Sequence, residues 1–231
     1  MQKLLFDNIL YELDPATRTA SVCRLSDKYR RYIMIHNSII YDDIVYSVTS
    51  IGDSAFDGDT NLISITIPNS IKEIGTMAFC DCESLAAIAI PDSVTTIETR
   101  AFSGCRSLTS VTIPDSVTSI GGSAFEGCTN LASITIPGSV TSIGWNAFDS
   151  CSGLTSITIP DGVKSIGWCA FEDCTSLASI TIPNSVTSIR HGAFRGCEAL
   201  VSIRIPKGKR SIFGAEDLEE LQDKIIEYTP E

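Results

Sequence analysis

Apolar and polar residues along most of this chain repeat with a period of 23 residues. Proline, phenylalanine and leucine each keep that period with no insertion or deletion. The prolines are Pro68, Pro91, Pro114, Pro137, Pro160, Pro183 and Pro206; the phenylalanines are Phe56, Phe79, Phe102, Phe125, Phe148, Phe171 and Phe194; the leucines are Leu62, Leu85, Leu108, Leu131, Leu154, Leu177 and Leu200. Such self-similarity indicates a repeat protein, whose units bury their apolar residues against neighbouring units.

The first part of each unit alternates apolar and polar residues, which predicts a short β-strand. In one unit Ile134 and Ile136 are expected to point inward, and Ser133 and Thr135 outward. Pro137 cannot donate a hydrogen bond to a neighbouring strand, so the strand is expected to end there.

The second part of the unit returns the chain across the core. Val140 and Ile143 lie three residues apart, and Gly144 supplies a turn. The A-F-x-G-C segment that follows is too short for a full helix, and we expect one helical turn there. Repeated about seven times over residues 45–212, these units predict a solenoid with one parallel strand per coil.

Both ends of the chain lose the repeat, as capping segments do. Residues 1–44 are expected to form a β-rich N-terminal cap with strands at Asn8–Leu13, Tyr32–Ile35 and Ile39–Tyr41, and with turns at Asp14-Pro15 and Asp42-Asp43. Residues 213–231 are expected to form a helical C-terminal cap, because residues 215–228 space their apolar side chains at helical intervals. These apolar residues are Leu218, Leu221, Ile225 and Ile226.

The unit resembles the 23-residue leucine-rich repeat of the BspA-like family, whose pattern is I-x-I-P-x-x-V-x-x-I-G-x-x-A-F-x-x-C. Six copies match nearly every position, and the resemblance covers residues 45 to about 212. It implies a leucine-rich-repeat solenoid of β-dominated α/β type.

Members of the family are similar to surface proteins of gut and oral anaerobic bacteria and of some parasitic protists, and several are linked to adhesion to host matrix proteins or other cells. The resemblance therefore implies a non-enzymatic recognition or adhesion module on a bacterial surface, with a protein or a glycan as its partner.

A second hypothesis makes the chain an intracellular protein-interaction scaffold. The first residues, MQKLLFDNILYELD, lack the long apolar stretch and cleavage site of a signal peptide. The family resemblance favours the cell surface or the extracellular space, whereas this start favours the cytoplasm. No apolar run is long enough to predict insertion in a membrane. We expect a monomer.

The charge of the chain narrows the choice of partners. The formal net charge is −11, and residues 51–205 carry seven basic and fifteen acidic residues. An acidic body repels phosphate groups, so neither a nucleic acid nor an anionic membrane surface is expected to be the partner.

Six of the nine cysteines follow the repeat: Cys82, Cys105, Cys128, Cys151, Cys174 and Cys197. Disulfides between successive coils are geometrically reachable, but side chains at equivalent positions point the same way and suit a bond poorly. Zinc sites usually need C-x-x-C or Cys/His pairs, and the chain has only two histidines. The interpretation we favour is a column of buried free thiols beside the phenylalanines.

No catalytic or metal-binding motif is present, and we expect neither an enzyme nor a cofactor. His36 and His191 are not flanked by a recognisable motif, and no G-x-S-x-G, P-loop, dinucleotide or H-E-x-x-H pattern occurs. Acidic residues follow several of the prolines, but one carboxylate per coil supplies too few oxygens for calcium. Their type and position favour turns.

Binding by a solenoid is expected where its repeats differ. The outward strand positions are nearly constant Ser and Thr, whereas two columns between Ile-Gly and Ala-Phe vary. The first column reads Thr76, Thr99, Gly122, Trp145, Trp168 and His191, and the second reads Met77, Arg100, Ser123, Asn146, Cys169 and Gly192. Aromatic residues beside arginine are enriched at binding hot spots.

We therefore expect the contact residues to be Trp145, Trp168, His191, Arg190, Arg195 and Arg100, with the two tryptophan rings in contact with each other. The alternative is that both tryptophans fold back over the turn and shield the phenylalanine column.

Overall fold

The structure is a computed structural model that describes residues 2–24 and 31–230, and its repeats stack as coils of a solenoid. The first strand of each coil lies at Ser64–Thr66, Ala87–Ala89, Ser110–Thr112, Ser133–Thr135, Ser156–Thr158, Ser179–Thr181 and Ser202–Pro206. The first strands stack in parallel and pair in groups, for example Ser133–Thr135 with Ser156–Thr158, where Ser133 lies beside Ser156 and Ile134 beside Ile157. Ile134 is buried while Ser133 and Thr135 are exposed, which confirms the predicted alternation.

A second side of each coil carries a strand of two residues, which the sequence did not predict. These strands are Glu73–Ile74, Thr96–Ile97, Ser119–Ile120, Ser142–Ile143, Ser165–Ile166 and Ser188–Ile189. They also pair in parallel, with Ile120 beside Ile143 and Ile143 beside Ile166. The isoleucine of each pair of residues is buried, so this second sheet closes the core opposite the first strands.

The A-F-x-G-C segment forms the third side of the coil, and the prediction of a helical turn there was wrong. Alternate backbone N–H groups in this segment donate to carbonyls of the following coil. Asn146 donates to Trp168, Phe148 to Ala170 and Ser150 to Glu172, each at 2.8 Å. A helix needs those donors within its own segment. The segment instead forms tight turns, with left-handed backbone at Asn146 (φ 51°) and Ser150 (φ 58°).

The core is a continuous column that runs through all coils. The rings of the seven repeated phenylalanines stack at centroid distances of 5.1 to 5.7 Å and are nearly parallel. Beside them lie the six repeated cysteines, all with free thiols. The thiol of Cys151 donates to the carbonyl of Phe125, 3.1 Å away and 26 residues earlier. The other five thiols make the same contact, at 3.1 to 3.2 Å.

The N-terminal cap is β-rich, as predicted, with strands at Gln2–Phe6, Ile9–Asp14, Thr19–Cys23, Tyr32–Met34, Ser38–Tyr41 and Ile44–Ile51. Asp42 and Asp43 form the expected turn, both with positive φ. Tyr32–Met34 pairs in parallel with Ser64–Thr66, so it extends the sheet of first strands beyond the repeats. Ile44–Ile51 pairs with Glu73–Ile74 and begins the second sheet.

The C-terminal cap is helical only in its first half. A helix covers Ala215–Leu221 after a single 3₁₀ turn at Arg210–Ile212, but Ile225–Tyr228 is a strand. The prediction of helix through residue 228 was therefore wrong. This strand pairs in parallel with Ser202–Pro206 and hydrogen-bonds the open edge of the last coil.

None of the helices within residues 2–24 and 31–230 has the length and apolar character needed to cross a membrane.

Candidate functional site

The two variable columns lie at the start of the third side, where each coil turns after its second strand. The second column has left-handed backbone at every member, with φ from 51° at Asn146 to 72° at Gly192. The first column precedes it and carries Trp145 and Trp168 on adjacent coils, with 45% and 54% of their surfaces exposed. We call Trp145, Trp168 and His191 the tryptophan patch.

The ring of Trp145 lies over Gly122 of the preceding coil. A Cβ atom at Gly122 would overlap the indole ring, so the absence of a side chain there creates the seat for Trp145. Gly122 itself is buried, and the phenylalanines beneath this turn are fully buried as well. The third side of the coil therefore holds the indole of Trp145 against the backbone, while about half of the Trp145 surface stays in contact with water.

The second tryptophan makes its ring contact with the next coil. The centroids of Trp168 and His191 are 6.3 Å apart in an edge-to-face arrangement. The expected contact between the two tryptophan rings is not among the aromatic contacts of the described residues, because Trp145 turns back over Gly122. The patch thus consists of one ring seated on glycine and an aromatic pair beside it.

His191 links the patch to the C-terminal cap. Its Nδ1 lies 3.2 Å from Oδ1 of Asp217 and 3.8 Å from Oε2 of Glu216, both in the first turn of the helix. The same Oδ1 of Asp217 accepts the backbone N–H of Gly192 at 2.8 Å. The cap helix therefore fixes the end of the patch, which sequence reasoning did not foresee because Asp217 lies 26 residues beyond His191.

The three predicted arginines lie in different surroundings. Arg195 is exposed, and its Nε donates to Oε1 of Glu172 at 2.6 Å. Arg190 is exposed in the coil of His191. Arg100 is also exposed, but it lies two coils before Trp145 and outside the cluster of the other predicted residues.

A second set of residues on the third side went unnoticed in the sequence. The residue after each repeated phenylalanine reads Asp57, Cys80, Ser103, Glu126, Asp149, Glu172 and Arg195. Three consecutive coils thus carry carboxylates at this position. Burial raises the pKa of Asp149, and the nearby charges of Glu172 and Glu126 raise it further.

A cysteine, a histidine and a carboxylate also come together near the patch, but they do not form a catalytic arrangement. The Cys169 thiol contacts the backbone carbonyl of His191, at 3.9 Å, and not an imidazole nitrogen that would accept its proton. Burial and the neighbouring Glu172 raise the pKa of Cys169 to about 11. Little thiolate exists at neutral pH, so Cys169 is a poor nucleophile.

One grouping in the described part of the chain has donor atoms suited to a metal ion: Asp57, Cys80 and Asp81, whose donor atoms lie within 4.8 Å of one another. Arg24 already pairs with Asp57, with Nη1 2.8 Å from Oδ2. Burial and the charges of Asp81 and Asp57 raise the pKa of Cys80 to about 11. The thiol therefore stays protonated, and the arginine neutralises one carboxylate of the group.

The side of the solenoid formed by the first strands carries a recess near its C-terminal end. Tyr228 reaches back over the preceding coils and donates from its hydroxyl to the Ile182 carbonyl at 3.2 Å. The guanidinium of Arg204 lies 5.5 Å from the centre of the Tyr228 ring. A shallow recess of about 360 Å³ lies between Tyr228 and the strands at Ser156–Thr158 and Ser179–Thr181.

The stacked parallel strands and the 23-residue units define the class of this protein, a leucine-rich-repeat solenoid. Its sequence matches the BspA type leucine rich repeat region in six copies, over residues 49–178 and 142–216. The chain therefore belongs to the BspA-type leucine-rich-repeat family, which confirms the resemblance and the fold predicted from the repeat. No curated protein matches the chain in sequence.

Solved structures of bacterial leucine-rich-repeat proteins are similar to this chain. One from Bacteroides ovatus is 34% identical, with a TM-score of 0.82 over 91% of this chain and 57% of the other. One from Eubacterium ventriosum is 25% identical, with a TM-score of 0.69 over 85% of this chain and 50% of the other. One from T. pallidum is 25% identical, with a TM-score of 0.62 over 99% of this chain and 100% of the other. This chain therefore spans only about half of the first two proteins.

Leucine-rich-repeat proteins of this family are typically non-enzymatic and generally mediate protein interactions, and this chain is a repeat module of the family.

Proposed function

We propose that this protein is a recognition module of a bacterial surface and that it binds a partner protein through the tryptophan patch. One observation carries the proposal. Along residues 51–200, all of them described, Trp145 and Trp168 are the only large hydrophobic side chains that are exposed. Exposed tryptophans of this kind are the residues that most often dominate the binding energy of an interface. The partner we expect is a host matrix protein or another cell-surface protein.

The rigidity of the patch supports the same proposal. Trp145 is seated on Gly122, and Trp168 packs against a histidine held by the cap helix. Side chains that are already ordered lose less conformational entropy when a partner binds. The outward positions of the first strands in the repeats are mostly Ser and Thr, small side chains that supply fewer anchoring contacts.

The test compares wild-type protein with the double variant Trp145→Ser and Trp168→Ser on immobilised host matrix proteins and on a glycan array. We expect binding to a matrix protein to weaken by at least tenfold while the melting temperature changes by only a few degrees. Val201→Ser is the matched control, because Val201 is a highly exposed apolar residue away from the patch. Binding that the double variant retains in full would contradict the proposal. Binding to glycans alone would replace the protein partner with a carbohydrate.

A further inference from the structure

The carboxylates of the third side form a column beside the tryptophan patch. Glu126, Asp149 and Glu172 occupy the same position in three consecutive coils, four residues after Gly122, Trp145 and Trp168, respectively. The phenylalanine rings that precede them stack at 5.4 to 5.5 Å. Successive members of the column are therefore separated by one coil, which is about 5 Å for stacked parallel strands.

The chain supplies its own cation at one end of this column, where Arg195 pairs with Glu172. Among the described residues, no ion pair engages the other two members, Glu126 and Asp149. Asp149 accepts hydrogen bonds from Asn146 and Ser150, at 3.0 and 2.9 Å, and both of these donors are neutral.

The unpaired carboxylates repel one another. Burial raises the pKa of Asp149, and Glu172, Glu126 and Asp173 raise it further. A positive charge placed at this point relieves that repulsion, and the acidic body of the protein, with a net charge of −11, attracts cations from a distance.

The indole of Trp145 is placed at the coils of the two unpaired carboxylates, and Trp168 belongs to the next coil, that of the paired Glu172. The ring of Trp145 lies over Gly122, in the coil of Glu126, while Trp145 itself belongs to the coil of Asp149. The face of an indole attracts ammonium and guanidinium groups more strongly than any other side-chain ring does. Aromatic rings beside unpaired carboxylates suit a Lys or Arg side chain better than an apolar or acidic one.

We infer that the tryptophan patch binds a partner segment rich in Lys or Arg, whose cationic groups pair with Glu126 and Asp149 and pack against the indoles of Trp145 and Trp168. The ion pair of Arg195 with Glu172, one coil further along, shows how a guanidinium binds this column. Arg190 and Arg195 lie on the C-terminal side of the patch, where their positive charges repel a cationic segment, so its pairing partners are Glu126 and Asp149. This inference rests on the proposed function and adds the chemistry of the partner.

The test uses fluorescently labelled peptides in which arginine alternates with glycine, and matched peptides with citrulline, the neutral isostere of arginine. The arginine peptide is expected to bind the wild-type protein at least tenfold more tightly than the citrulline peptide, and its affinity is expected to fall as salt rises. The double variant Glu126→Gln and Asp149→Asn, and separately the double variant Trp145→Ser and Trp168→Ser, are expected to weaken this binding about tenfold. Asp92→Asn with Asp115→Asn removes the same charge from exposed turns elsewhere and is expected to leave the affinity unchanged.

The outcomes separate this inference from the proposed function. Equal binding of the arginine and citrulline peptides would overturn the inference, as would an equal loss in the Asp92 and Asp115 control, which would indicate attraction by net charge alone. If the tryptophan variant loses a matrix protein that the Glu126 and Asp149 variant still binds fully, the proposed function stands and the cationic partner is wrong. If neither variant changes the binding of the matrix protein, both proposals fail.

Discussion

The carboxylate of Asp217 accepts the backbone N–H of Gly192 at 2.8 Å, and it occupies the position that the next coil would otherwise fill. In earlier coils the equivalent N–H donates to a backbone carbonyl of the following coil, from Asn146 to Trp168 and from Cys169 to His191. The last coil has no successor, so a side chain of the cap helix supplies the acceptor. The stack therefore ends without leaving that buried donor unsatisfied.

Replacing Asp217 with Ala is expected to lower the free energy of unfolding by about 1–3 kcal/mol, the cost of leaving a buried donor without an acceptor. Chemical denaturation measures it. Glu216→Ala is the matched control, because Glu216 is on the same helix and its side chain is 88% exposed. If the two variants are equally stable, the Gly192 contact does not hold the cap in place.

The repeated cysteines are expected to resist thiol reagents in the folded protein. Cys151 is fully buried, so a reagent has little access to its sulfur, and burial also raises its pKa to about 12. A thiol reagent should therefore label mainly the partly exposed Cys23 and Cys169 before unfolding and all nine cysteines after unfolding without reductant.

Two substitutions check which thiols react. Cys169→Ser should reduce the labelling of the folded protein, whereas Cys151→Ser should not. A count clearly below nine after unfolding would mean that disulfides are present.

Replacing Gly122 with Ala is expected to displace the indole of Trp145, since the new methyl group would overlap the ring. We expect a red shift of tryptophan fluorescence and a loss of about 1 kcal/mol of stability, as for other overpacked sites. Gly138→Ala is the control, because no atom lies within 4 Å of a Cβ placed there. An unchanged emission spectrum in Gly122→Ala would show that the ring is not seated on this glycine.

The raised pKa of Asp149 predicts how stability depends on pH. A carboxyl group whose pKa is higher in the folded state than in the unfolded state binds its proton more tightly when folded. Its ionisation therefore destabilises the fold above the folded-state pKa, and this penalty disappears as the pH falls toward the unfolded-state value. Asp149→Asn should raise the melting temperature most at neutral pH and progressively less in mildly acidic buffer.

Calorimetry of wild-type protein and the Asp149→Asn variant over this pH range measures that difference. Asp92→Asn is the control for the change in net charge, because it removes the same charge from an exposed turn. A difference that grows as the pH falls would contradict the assigned shift.

The repeat alone predicted most of the solenoid because each unit carries the same information. The inward positions of Ile134 and Ile136 and the buried phenylalanine column follow directly from the alternation and the 23-residue period. The same logic failed for the C-terminal cap. Ile225 and Ile226 fit a helical spacing in sequence, but the open edge of Ser202–Pro206 offers backbone hydrogen bonds that draw these residues into a strand.

The sequence also identified the variable column that carries Trp145 and Trp168, since a departure from a regular repeat is visible without coordinates. It did not show which way each ring turns. Trp145 leans over Gly122 in the preceding coil, while Trp168 meets His191 in the next, and these directions depend on the space left by residues 23 positions away.

The sequence by itself determined the repeat unit, the inward faces and the place where the coils differ, because period and polarity are local properties of the chain. The tertiary structure alone decided which groups from different coils meet: Asp217 with Gly192, Arg195 with Glu172, and the Cys151 thiol with the Phe125 carbonyl. Each of these pairs is separated by 23 to 26 residues and forms only when the coils stack, because no local segment brings the two partners together.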